Sequence, residues 1–215
     1  MFDNELTNHE RQVRLFLKEE FYDENDDAHK IGHIDEVWSN ICELINNNEF
    51  KFNINRDIIF LAVYLHDIKS GENRKRHNIL AALLVREKYF LNYPILNFMD
   101  ELDEYDLYTI STMIYHHRAS MIVNETLVDS EERLVYINLL RAADKGKPIF
   151  KEVLNRATLY HKGDDDMKEN VKAHLIEKFG SEGYFWENDL AYKKIYENEF
   201  KQFQIELNEY ISKVI

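Results

Sequence analysis

Apolar residues recur along this chain at steps of three and four, the spacing of one helix face. Leu6, Val13, Leu15, Phe16, Leu17 and Phe21 share a broad face and predict a helix within residues 4–24. His33, Val37, Ile41 and Leu44 form the stripe of a second helix over about 33–44. The third, 57–68, contains the run "IIFLAVYL", apolar all round, which reads as a buried helix capped by Asn55 or Asp57. Further helices are expected over 77–90, 103–117 and 131–146, then 149–160, 167–179 and 189–213. Polar or irregular stretches separate them: "NNNEFKFNIN", "KSGENRKR", a loop at Pro94, and "RASMIVNETLVDS". Alternation at period two is weak throughout, so the fold class is all-α.

Composition supports long helices joined by short connections. Only 6 glycines and 2 prolines punctuate 215 residues. That length suits one helical domain over 1–148 with a helical extension over 149–215, serving as a cover or a homodimer surface. The longest apolar run, Ile58–Leu65, is too short to span a bilayer. The N-terminus lacks a signal-peptide pattern, and the single cysteine, Cys42, suits a reducing compartment, so a cytoplasmic location is expected. The net charge of −13 argues against stable binding to nucleic acid or to an anionic membrane. It leaves a small phosphorylated substrate open, because a metal and a few local bases reverse the field within a pocket.

Several titratable residues sit where apolar ones belong. His66 continues the stripe of Ile58 and Ala62, and Asp67 is next to it. His117 continues Ile110 and Ile114, with His116 beside it. Asp144 follows Ile137 by seven residues, so its carboxylate faces the apolar side. A lone inward histidine is usually a satisfied core residue. Several of them with carboxylates are a different matter: an isolated buried carboxylate is expensive, and one beside neutral imidazoles suits a divalent cation. Neighbours on a helix lie about 100° apart, so His66 and Asp67 can share one ion only near a helix end, where the run stops.

Taken in order, "HIDEV" at 33–37, "LHDI" at 65–68, "HNILAALL" at 77–84, "IYHH" at 114–117 and "RAADKG" at 141–146 resemble the motifs of the HD superfamily of metal-dependent phosphohydrolases. The resemblance spans roughly residues 29–147. It implies a helical HD domain whose His33, His66, Asp67 and Asp144 hold a divalent metal, with Mn, Fe, Co, Zn, Ni and Mg not distinguished. It implies Asp67 as the catalytic carboxylate. His77 and His116 or His117 match ligands of two-metal relatives, so they are candidates for a second ion or for phosphate contact. The expected activity is hydrolysis of a phosphoester or phosphoanhydride in a nucleotide-like substrate. No "G-Y-P" follows His117, which disfavours the cyclic-dinucleotide subclass, and "IKSGE" lacks the acidic pattern of guanosine-tetraphosphate hydrolases.

The basic residues near these motifs complete the candidate site. Lys69 is a catalytic candidate, and Arg74, Lys75 and Lys145 are candidates for substrate phosphate, with Arg76 and Lys147 nearby. His9, His29, His161 and His174 read as surface or structural, and "GYFW" at 183–186 as packing. Two other classes stay open. One is a di-iron oxygenase of the same fold. The other is a non-catalytic nucleotide-sensing domain with a structural metal.

Overall fold

The computed structural model describes residues 2–23, 25, 30–118, 120–123, 128–187 and 189–213. His29 lies outside them, as does part of the irregular stretch after His117. The described residues form helices and no strand, so the fold is all-α. The chain divides into two compact units: Met1–Arg118 with Asn124–Asp144, and Ala119–Val123 with Lys145–Ile215. The division falls at Asp144 rather than at residue 148. No helix among the described residues is long and apolar enough to cross a membrane.

The first unit holds six α-helices among its described residues: α1 (Asn8–Leu17), α2 (Ile31–Asn46), α3 (Arg56–Leu65), α4 (His77–Arg86), α5 (Glu104–His116) and α6, which runs Glu131–Lys145. α1 starts later than the apolar pattern suggests, because a capping box stops it: Thr7 accepts from the Glu10 N–H, and Glu10 accepts from the Thr7 N–H. It then widens into a π turn over Lys18–Tyr22. Asn55, rather than Asp57, caps α3 by accepting from the Asp57 and Ile58 N–H groups. Every residue from Ile58 to Leu65 is buried, so α3 is the core helix of the unit. Its Phe60 and Tyr64 rings, centroids 4.6 Å apart, pack against Trp38 of α2. α4 ends at Arg86 rather than continuing to Phe90, because Lys88 takes a left-handed φ of 53°. 3-10 turns over Tyr89–Asn92 and Pro94–Glu101 fill what reads in sequence as a loop.

The second unit is built from α7 (Phe150–Tyr160), α8 (Met167–Phe179), α9 (Tyr184–Glu187), α10 (Leu190–Ile195) and α11 (Glu197–Lys213). The pattern predicts one helix over 189–213, but the chain breaks at Tyr196, giving α10 and α11. "GYFW" does pack: Trp186 is 0% exposed, stacks on Tyr192, and donates its indole N–H to the Phe179 carbonyl at 2.9 Å.

Candidate metal centre

Three histidines are set by the same local device. His66 follows the last residue of α3, His117 follows the last of α5, and His77 opens α4. The Nδ1 of each lies on the carbonyl three residues before it: His66 on Val63 at 2.7 Å, His77 on Arg74 at 2.9 Å, His117 on Ile114 at 2.6 Å. A carbonyl only accepts, so each Nδ1 carries the proton. Each neutral ring therefore presents a bare Nε2 in a fixed direction, the orientation that backbone carbonyls give to metal-binding imidazoles.

Those nitrogens converge on Asp67, which is 3% exposed. Its Oδ1 lies 3.0 Å from His77 Nε2 and 3.5 Å from His117 Nε2. Its Oδ2 lies 3.6 Å from His66 Nε2 and 4.0 Å from His33 Nε2. Asp144 Oδ1, from α6, closes the second side at 3.1 Å from His33 and 3.7 Å from His66. The carboxylate of Asp67 thus stands between two sets of nitrogens. Two groupings have ligand atoms close enough to hold an ion: His33, His66 and Asp144, and His66, Asp67 and His117.

The donor set fits a cation. His66 Nε2 is buried with no hydrogen-bond partner, and both carboxylates stand beyond hydrogen-bond reach of it. His77 Nε2 and His117 Nε2 face each other at 3.0 Å, although both rings carry their proton on Nδ1. Bare acceptors at such distances need a proton or a metal ion among them.

Without a metal, protons fill that role. Burial opposes charge on His66, but the carboxylates of Asp67 and Asp144 outweigh it and push the imidazole up to about 9. Burial also opposes charge on His33, and Asp144 reverses the balance, raising its value. Burial would raise both carboxyls, yet the imidazoles hold Asp67 and Asp144 well below the carboxylate range. His117 goes the other way, lowered mainly by burial.

A raised imidazole stabilises the metal-free fold fully below its ordinary value of about 6.5, and that contribution disappears as pH rises through about 9. A metal must displace the same proton, so its affinity changes in the opposite sense. The Tm of the metal-free protein is therefore expected to fall between about pH 6.5 and 9 while Mn²⁺ binding tightens. Thermal scans and titrations across that range, on wild type and His66→Ala, read both slopes.

Six of the expected side chains therefore meet: His33, His66, Asp67, His77, His117 and Asp144. Of the two adjacent histidines, His117 joins a metal-capable grouping and lies 3.5 Å from Asp67, whereas His116 is in neither grouping. His116 is 0% exposed, its ring nitrogens have no hydrogen-bond partner, and its carbonyl accepts from Arg141. Burial, helped by the Arg141 charge, lowers it to about 4. Lys69 pairs with Glu72 at 2.6 Å. Arg74 and Lys75 have exposed side chains on the loop leading to His77, and Arg118 donates to the Lys75 carbonyl.

Lys145, a phosphate candidate in the sequence, is already engaged by protein groups. Within the second unit, to which Lys145 itself belongs, its amine makes a 2.8 Å ion pair with Asp189, both side chains 2% exposed, and lies over the Phe185 and Tyr192 rings. His161 likewise pairs with Asp164.

The supporting residues carry no sequence signal of their own. Asn40 donates to the Ala143 carbonyl at 3.0 Å, tying α2 to α6 one residue before Asp144. Arg14 grips Asp35 with two N–H groups, and Asp35 also accepts from the Tyr64 hydroxyl at 3.0 Å. No family model, curated protein or solved structure matches the chain.

Proposed function

We propose that this chain is a metal-dependent phosphohydrolase of the HD type, acting on a phosphoester or phosphoanhydride in a nucleotide-like substrate. The observation that carries the reading is Asp67, whose two carboxylate oxygens face two separate sets of imidazoles. His33, His66, Asp67 and Asp144 would hold one divalent ion, and Asp67, His77 and His117 a second. Ions held there supply Lewis acidity to a phosphoryl oxygen and lower the pKa of a bound water.

The chain's own residues do the rest. The carbonyls of Val63, Arg74 and Ile114 fix three imidazole tautomers, so the lone pairs need no rearrangement on loading. The loop with Arg74, Lys75 and Arg76 brings positive charge to a chain of net charge −13, where it suits the substrate phosphate. Glu72 offsets part of the charge on Lys69.

The test is turnover of nucleotides, dinucleotides and generic phosphoesters with Mn²⁺, Co²⁺ or Mg²⁺. Hydrolysis that requires the cation and stops with a chelator is expected. A metal-loaded protein that hydrolyses none of them contradicts the reading. Oxygen uptake by an iron-loaded protein would point to a di-iron oxygenase, which a bridging carboxylate also suits. Tight nucleotide binding without turnover would point to a sensing domain.

A further inference from the structure

Tyr22 ends the π turn that follows α1, and it is 0% exposed. Leu17, five residues earlier, is also 0% exposed. In an α-helix those two would point about 140° apart. The i→i+5 turn puts both inward, so the turn is what aims Tyr22 at α3. Its hydroxyl donates to the Tyr64 carbonyl at 2.9 Å. Burial, then the nearby Asp67 carboxylate, raises that hydroxyl well above its ordinary value, and the Asp67 backbone N–H opposes the rise.

That hydroxyl sits where α3 stops. Had the helix continued, the Tyr64 carbonyl would accept from the Ile68 N–H. Instead that N–H turns to Leu65, at a long 3.5 Å, and Tyr22 takes the vacated carbonyl. The Tyr22 hydroxyl on that carbonyl therefore holds the chain off the helical path there, three residues before Asp67. Only off that path can His66 and Asp67, adjacent in sequence, face the same cluster.

Neighbouring contacts fix the same turn from both sides. The Tyr64 hydroxyl is held by Asp35, itself gripped by Arg14 of α1. Asn25, just beyond the π turn, donates to the Ser70 hydroxyl at 2.9 Å, and a side chain at Gly71 would collide with it.

We infer that Tyr22 is a positioning residue for Asp67: its hydroxyl sets the backbone so that both carboxylate oxygens point into the imidazoles. Tyr22 touches neither the proposed ions nor substrate. The inference rests on reading the cluster as a divalent-cation site.

Tyr22→Phe removes one oxygen and keeps the ring. Its apparent Kd for Mn²⁺ is expected to rise about 10- to 100-fold, the usual effect of losing an outer-shell partner. The visible spectrum of the Co²⁺-loaded protein should shift, reporting altered ligation. Tyr136→Phe is the control, because Tyr136 is equally buried and accepts from the Asn55 N–H away from the cluster. It should lower Tm without changing the Kd or the spectrum.

Unchanged Kd and spectrum in Tyr22→Phe, or the same changes in Tyr136→Phe, overturn the inference. Wild type that binds no divalent cation overturns the metal reading itself, and the positioning role with it.

Discussion

Asp67→Ala is expected to abolish divalent-metal binding and, with it, any phosphohydrolase activity. Losing an outer-shell partner already weakens metal binding about 10- to 100-fold, and Asp67 is the group on which four imidazoles converge, so the loss should exceed 100-fold. The fold should survive. Asp67 is held well below the carboxylate range by those imidazoles, so in the metal-free protein its removal deletes favourable pairing. The same change lowers His66, because one of the two carboxylates that raise it is gone. Asp67→Asn separates charge from shape: it keeps the volume and one acceptor oxygen, but an amide is a poor bridge between two cations. Metal content and turnover, measured with circular dichroism on both variants, read this directly. A folded Asp67→Ala protein that retains metal and activity would place the chemistry elsewhere.

Lys145→Met is expected to destabilise the second unit by about 3–5 kcal/mol, because it leaves the Asp189 carboxylate buried without its cation. Asp189 also accepts the Tyr192 N–H at the start of α10, so the damage reaches the cap of that helix. Adding Asp189→Asn should recover part of the loss, since it removes the stranded charge and keeps the cap acceptor. Denaturant titration measures both variants. A phosphate-contacting lysine would behave differently: KM would rise with stability unchanged. That result would support the phosphate reading taken from its position next to Asp144.

The contrast between these two residues shows what the sequence can reveal. The helical period locates most helices, and His66, His117 and Asp144 stand on apolar stripes, so the convergence of ligands is legible before any coordinates. The same stripe favours His117 over His116, although only the geometry at the end of α5 decides it. For Lys145 the sequence shows adjacency to Asp144, which is not proximity of side chains. The next residue on a helix points about 100° away, and here it points among Phe185, Tyr192 and Asp189. Tyr22 leaves no trace in the pattern either. A π turn shifts the register by one residue, and a 3.6-residue period cannot report it. The break at Tyr196 and the 3-10 turns at 89–101 are hidden for a similar reason: apolar spacing persists across them while the backbone changes.

The claim on which the rest depends is that the cluster around Asp67 binds divalent cations. The most direct measurement is equilibrium dialysis of metal-stripped protein against Mn²⁺, with elemental analysis and thermal scans on wild type and His66→Ala. The account predicts up to two ions per chain in the wild type, with a Tm that rises as Mn²⁺ is added, and weakened or lost binding in His66→Ala. At a free concentration a hundred times Kd, one site should stabilise the fold by about 2.7 kcal/mol. Wild-type protein that binds no Mn²⁺, Co²⁺, Zn²⁺ or Fe²⁺ and shows no change in Tm would contradict it.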